Sequence, residues 1–582
     1  MLIQKLGFFC LLVLTLSFLI PATVNATALN SFQQQAASDF PTVDPNYIYD
    51  QLLYMVTHFQ RREAGYDNNL PVNVNGHDEF AAYWAQEMQR NLTGFGAQVS
   101  RDEFSVQGWQ GRPATVPAFN VEVTIPGVSH PEQVVVIGCH YDGEASSTQS
   151  ANDDASGCAI ELGVARAMGA YWRSHQLYPA RTLRFVIFDA EEQGLYGSFH
   201  YLNSTINGDV KNLVAMFNEE QNGIAYPLRY LGQLSNPILP FYIDMSPLQS
   251  NQLYAHQDQL SQQQKDNISH FRSLMQQAII ASFAQFQKMG YQMLSYHISN
   301  QPDVFQPIFT SDQMKYIQQE DDTLGGSDQI PFTFAGLPCA TFVGNSSYYD
   351  LNPPPWSYPY DQPQDTIQLM NTFADGSSLK SYALVMALGL PGMLTTWMLN
   401  QPEILGQASS NHSPMAAISD VGQTIAGHSI TLDARASYEP AGNALTYAWD
   451  FGDGTQANGI AITHTYTRTG TYDLKLTVSS TEGTRSITKV INVVTQPTSY
   501  DNPYAHDQQD GFPPANPAVT LPTPNDQLSD KVTTTAAAVA IALTPISSLT
   551  NFSVGLIVGG LILAVLLIGG IVVVFVRRKA HV

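Results

Sequence analysis

Positive charge is scarce in this sequence: 26 Lys and Arg stand against 49 Asp and Glu in 582 residues, a formal net charge of −23. Nucleic-acid binding draws on clustered Lys and Arg to displace phosphate counterions, so that class of partner is excluded. Charge of either sign is scarce too, at 13% of residues, about half the usual share. That shortage points to apolar segments and long neutral polar tracts. Cysteine is the third scarcity, with four in the whole chain, too few for a disulfide-stapled exoprotein. Once Cys10 leaves with an N-terminal leader, Cys139, Cys158 and Cys339 remain, all in apolar surroundings. They read as buried free thiols acting as small hydrophobes. The 44% of hydrophobic residues is enough for a sizeable core and rules out global disorder.

Two segments stand apart from any globular fold. Lys5, the uncharged run Leu6–Ile20 and the small-residue stretch Ala22–Ala28 form a secretory signal peptide over residues 1–28, with cleavage expected after Ala28. Val554–Val576 is 23 residues without a charge, about 34 Å as a helix, which spans a bilayer core. Arg577, Arg578 and Lys579 follow and place the tail, 577–582, in the cytoplasm by the positive-inside rule. The expectation is a single transmembrane helix over 551–576 in the cell membrane, with everything between the two segments outside.

Between the ends the periodicity changes once. Over residues 29–400, β-branched runs such as Val134–Gly138 and Leu183–Phe188 alternate with helical patterns such as Gly157–Met168. Strand followed by helix, repeated, predicts an α/β domain built on a doubly wound, mostly parallel sheet. A long helix is expected around Ser269–Met289 and a closing one at Ser378–Leu390. After a linker at 401–415 the period becomes two: Leu445, Tyr447, Trp449 and Phe451, then Tyr472, Leu474, Leu476 and Val478, alternate with small or polar residues. This predicts an immunoglobulin-like β-sandwich over 416–495. Residues 496–550, rich in Pro, Thr, Ser and Asn, read as a stalk without a core.

Chemistry concentrates where the predicted strands end. His140-Tyr141-Asp142 closes Val134–Cys139, Asn152–Gly157 leads into a helix, Asp189–Gly194 closes Leu183–Phe188, and Asn218–Gln221 closes Leu213–Phe217. Ligand crevices of α/β sheets lie beyond the C-terminal ends of strands. Each stretch alone has a bland reading: a structural His, a helix cap, a turn. Two adjacent glutamates at a strand's end, however, repel one another unless something positive sits there, and a divalent metal is the economical answer. Four such stretches together point to a cation site.

These motifs resemble those of the M28 zinc peptidases: His-x-Asp after a strand, Asn-Asp-Asp-x-Ser-Gly, Phe-Asp-x-Glu-Glu-x-Gly, and Ser327-Asp328 before Pro331-Phe332. The resemblance covers about residues 40–400. It implies two divalent ions, most simply zinc, bound by His140, a bridging Asp153, Glu192, Glu220 and Asp361. Glu191 is then the general base, and Asp142 orients the His140 ring. It also implies a cis Asp153–Asp154 peptide and peptide or protein substrates cut at the N-terminus. Similarly, Trp449-Asp450-Phe451-Gly452-Asp453-Gly454 with His464-Thr465-Tyr466 closely resembles the PKD domain, in which Trp and Phe fill core space and Asp-Gly pairs turn the chain.

Two positions depart from the M28 pattern. Glu220 stands where the family has an Asp, one methylene shorter, and Asp361 where it has a His; the chain has no His between His297 and His412. Asp binds zinc well enough to keep a site, but the sphere becomes harder and tolerates Mn²⁺ better. The alternative expectation is therefore a peptidase fold without metals that serves as a binding or adhesion ectodomain. Glutaminyl cyclisation, a third, uses the His that is missing here.

Overall fold

The computed structural model describes residues 39–495 except 66–75, 108–114, 206–209, most of 224–240 and 291–316, 324–325, 345–357, 359–360, 376–378, 410–413, 420–423 and 440–441. The expected signal peptide, stalk and membrane span lie outside the described residues.

Eight strands form the central sheet: β1 Gln98–Gln107, β2 Thr115–Ile125, β3 His130–His140, β4 Arg181–Phe188, β5 Leu213–Glu220, β6 Phe241–Met245, β7 Ile317–Asp321 and β8 Cys339–Val343. Their order is β1-β2-β4-β3-β5-β8-β6-β7. The pairs β3/β4, β3/β5, β5/β8 and β6/β7 are parallel, while β1/β2, β2/β4 and β6/β8 are antiparallel. The sheet is thus mixed, with its parallel strands at the centre. The long helices are α1 Pro45–His58, α2 His77–Asn91, α3 Ala155–His175, α4 Gln262–Lys288 and α5 Tyr382–Leu399.

The period of two along the strands sorts side chains to two faces. Val135, Ile137, Leu183, Phe185, Ile187, Ala215 and Phe217 join the main core with residues of all five long helices. Val134, Val136, Val186, Phe188, Leu213 and Met216 point into a smaller cluster with Tyr201, Phe332 and Leu337. Strands buried on both faces read as continuous apolar runs, which is why the sequence disclosed them. Among the described residues, α5 is the one helix long and apolar enough to cross a membrane. It is a core helix, buried over nearly its whole length and packed on α1, α3 and α4.

The register of the three central strands places the chemistry. His140 ends β3 level with Phe188, the end of β4. On the other side Gly138 pairs with Asn218, so Glu220 at the end of β5 lies beside His140.

One expectation fails. Cys139 and Cys158 are joined in a disulfide, their Cα atoms 5.6 Å apart, and Cys339 alone among the described residues is a buried free thiol. Both had apolar neighbours in the sequence, but packing of α3 on β3 brings them face to face, within the range a disulfide needs.

The β-sandwich has its own core of Trp449, Phe451, Tyr466, Leu474, Leu476, Val478, Ile487 and Ile491. It comprises a five-stranded sheet and the two-stranded antiparallel pair Ser429–Asp433/Ala461–Thr465. Asp450 accepts from Gly452 N at 3.0 Å and Asp453 from Thr455 N at 3.0 Å, so these carboxylates make turns, as the sequence predicts.

Gly157, in the first turn of α3, gives a test of the packing beside the site. Helix propensity alone favours Ala there by about 1 kcal/mol. A Cβ would, however, sit 2.2 Å from the Glu219 carbonyl oxygen, and overpacking of this kind costs about 1–3 kcal/mol. Gly157→Ala is expected to lower the Tm by several degrees in a thermal melt; an unchanged or raised Tm would contradict the packing.

Candidate metal centre

His140 is buried at the end of β3. Its Nε2 lies 3.0 Å from Asp153 Oδ1 and 3.7 Å from Glu220 Oε2, and its Nδ1 lies 3.4 Å from Asp142 Oδ1. Asp142, fully buried, does more than face the ring. Its two oxygens accept the backbone N–H of Glu191 at 3.2 Å and of Glu192 at 3.3 Å. One carboxylate thereby joins the strand end that carries the His to the loop that carries the two glutamates.

Asp153 precedes α3, and its peptide bond to Asp154 is cis. Asp154 is the N-cap, its side chain accepting from Gly157 N at 3.0 Å, so the helix-cap reading holds one residue after Asp153. Asp365 grips the same turn. It accepts from Asn152 N at 2.9 Å, from Asp153 N at 3.1 Å and from Tyr358 Oη at 2.7 Å. Glu220 is held by the Ser327 hydroxyl, which donates to it at 2.7 Å and accepts from Asn218 Nδ2 at 2.8 Å. Glu192 accepts from Glu144 N at 3.1 Å, and Ser146 Oγ donates to the Asp361 backbone oxygen at 2.6 Å.

Two groups of three donors result: His140, Asp153 and Glu220, and Asp153, Glu192 and Asp361. Within each, the ligand atoms lie within 4.8 Å of one another, and Asp153 belongs to both. The fold brings every sequence-predicted ligand into one of them, with Glu191 beside Glu192 on the same loop.

The electrostatics fit a cation. Burial, then the neighbouring Glu220, Asp328 and Asp153, push Glu191 well above the usual carboxylate range, although His140 opposes the shift. Burial with Asp361 and Asp153 does the same to Glu192, and burial with Asp153 and Glu144 to Asp361. Asp361 Oδ1 is buried with no hydrogen-bond partner among the described residues, an open acceptor that a metal ion would satisfy. Burial disfavours a charged His140, but Glu191 and Glu220 overcome it and raise the ring well above its ordinary value. Oxygen donors with one imidazole suit a borderline-to-hard divalent ion.

Three residues near the centre escaped the sequence reading. Arg62 is buried and donates to the carbonyls of Tyr141 and Gln149 at 2.7 Å and of Ser150 at 3.0 Å. Burial lowers its guanidinium to about 10, against the pull of Asp365 and Asp142. Ser327 stands in one of the motifs above and Asp365 four residues after Asp361, but neither position marks in sequence what it holds.

A mixed α/β sheet with paired acidic donor groups, followed by a β-sandwich, is the frame on which likeness to known proteins falls. Residues 120–323 match the model of Peptidase family M28, and residues 411–495 match that of the PKD domain. The chain therefore carries one segment similar to the M28 peptidases and, after it, one similar to the PKD domain. The "Probable zinc metalloprotease" of Leptosphaeria maculans is 35% identical over 113 residues, 18% of this chain and 25% of that protein. The Glutamate carboxypeptidase 2 homolog of Caenorhabditis elegans is 26% identical over 255 residues, 44% of this chain and 27% of that one. Collagenase ColA of Clostridium perfringens is 38% identical over 73 residues, 12% and 7%. The chain thus spans between 7% and 27% of the length of these relatives. Among solved structures, Porphyromonas gingivalis glutaminyl cyclase aligns with a TM-score of 0.40 at 15% identity, covering 62% of this chain and 99% of that one. BSAP, a zinc aminopeptidase from Bacillus subtilis, aligns at 0.38 and 15%, covering 62% and 96%.

The buried acids generate a pH prediction. Asp328 is pushed up to about 7 and Glu219 to about 8, both by burial first. A carboxyl raised on folding binds more protons folded than unfolded, so stability falls as pH rises between its unfolded and folded values. The chelated protein is expected to lose Tm steadily from about pH 5 to pH 8. Zinc should flatten that slope; equal slopes with and without metal would contradict the charge balance described.

Proposed function

We propose that this protein is a metallopeptidase that removes N-terminal residues from peptides at a site holding two divalent ions, zinc by preference with Mn²⁺ tolerated. The observation that carries the reading is the pair of three-donor groups sharing Asp153. His140, Asp153 and Glu220 would hold one ion, and Asp153, Glu192 and Asp361 the other. In this reading the carboxylate of Asp361 stands in for the family's His, and Ser327 secures the longer side chain of Glu220. Ions bound there supply Lewis-acid polarisation of the scissile carbonyl and lower the pKa of an attacking water.

The chain's own groups do the rest. Glu191 takes the water's proton and delivers it to the leaving amine, the part a positioned carboxylate plays in general acid–base catalysis. Asp142 holds the His140 ring and, through two backbone N–H groups, the reach of Glu191. Glu144, a neighbouring charge of Glu192 outside both donor groups, offers an anion to a substrate's free α-ammonium, which supports exopeptidase over endopeptidase action. The uncharged run Val554–Val576 with Arg577, Arg578 and Lys579 supports display of the peptidase outside the cell membrane.

Aminoacyl-p-nitroanilides offered to the ectodomain test the reading. Hydrolysis is expected, with loss on chelation and recovery with zinc. Glu191→Gln should lower kcat by about 10²–10⁴-fold with metal content retained, and N-acetylated substrates should resist cleavage. Full activity of the Glu191→Gln protein would overturn the mechanism. An ectodomain that retains no metal ions would favour the binding or adhesion reading instead.

A further inference from the structure

We infer that His77 is a positioning residue that, through its hydrogen bond to Asp189, sets the loop carrying Glu191 and Glu192. The inference rests on the peptidase reading above for the roles of those glutamates, and on geometry of its own.

His77 opens α2 and is 3% exposed. Its Nε2 lies 3.0 Å from Asp189 Oδ1 and its Nδ1 2.9 Å from Asp78 Oδ1. Two carboxylates facing two ring nitrogens can both be satisfied only if both nitrogens carry hydrogen, the form in which the ring is cationic. Burial opposes that charge, but Asp189 and Asp78 outweigh it and raise the imidazole to about 9. Other groups around the ring are Tyr141 at 4.6 Å and Phe119 at 5.3 Å between centroids, with Arg101 3.9 Å from Asp78.

Asp189 is fully buried and begins the loop after β4. It also accepts from Phe119 N at 2.9 Å and from Ala190 N at 2.8 Å, while its own N–H donates to Asn120 Oδ1 at 3.1 Å. Ala190 next to it has φ +59, a left-handed conformation that a residue with a Cβ keeps only when its surroundings hold it. Glu191 and Glu192 follow at once. Without a donor from His77, a buried carboxylate anion at the root of this loop loses its counter-charge, which is costly enough to move it. Misplacement by about 1 Å suffices to cost about 10²-fold in rate.

The test uses the whole ectodomain with aminoacyl-p-nitroanilide and saturating zinc. His77→Leu is expected to lower kcat about 10- to 100-fold with KM within about twofold, and His77→Gln, which keeps a donor within reach of Asp189, to recover part of it. In the wild-type protein, ¹⁵N spectra of the His77 ring should show both nitrogens protonated at pH 8, a signature lost in Asp189→Asn. Unchanged kcat in His77→Leu, or a neutral wild-type ring at pH 8, would overturn the inference. If wild-type protein hydrolyses nothing, the peptidase reading fails. The ¹⁵N signature and the zinc affinity of His77→Leu then decide the positioning role: a doubly protonated ring with weakened zinc binding supports it, and a neutral ring or unchanged binding overturns it.

Discussion

Like charge brought together out of water is the constraint on which this structure turns. Three parallel strands end side by side, and each delivers carboxylates to the same small volume, where burial resists their ionisation. A fold can keep such an arrangement only by supplying positive charge or hydrogen-bond donors. It supplies some of each: His140 inside, Arg62 beneath, and backbone N–H groups aimed at Asp142 and Asp365. What these leave over is an acceptor such as Asp361 Oδ1, with no donor among the described residues. The scaffold around the centre is best understood as the means of holding anions close enough to be useful to a cation.

Much of this was legible in the sequence, for identifiable reasons. Strands covered on both faces leave uninterrupted β-branched runs, so β3, β4 and β5 could be placed, and with them the ends where the chemistry sits. The β-sandwich was legible because period-two patterning and Asp-Gly turns are local signals. The Asp153–Asp154 bond and the gathering of His140, Asp153, Glu192, Glu220 and Asp361 were legible through motif order. What stayed hidden depends on distant pairs. The Cys139–Cys158 bridge needs the packing angle of α3 on β3. Arg62 and His77 come from the N-terminal helical region, where neither carries any local mark of a role at a site some sixty or more residues further on.

The two departures from the family pattern read differently once placed. Glu220 is longer than the family's Asp, yet the Ser327 hydroxyl at 2.7 Å fixes its end, and Asn218 in turn fixes Ser327. The longer side chain is thus accompanied by a partner that removes its freedom. Asp361 sits in a positive-φ turn, tied to the segment after His140 by the Ser146 hydroxyl on its backbone. Each replacement therefore presents an oxygen to a neighbouring donor group at short range, with its backbone or side chain anchored.

The disulfide has a consequence for the unfolded chain. Cys139 and Cys158 bracket His140, Asp142, Asp153 and Asp154, so the bridge encloses them in one covalent loop. When the domain opens, these groups stay tethered at a high effective concentration instead of drifting apart with the rest of the chain. His140 and Asp153 are then reunited by closing a short ring, a search far smaller than the one the whole sheet must make. In an oxidising milieu, that ring keeps a memory of the site even when the sheet around it has come undone.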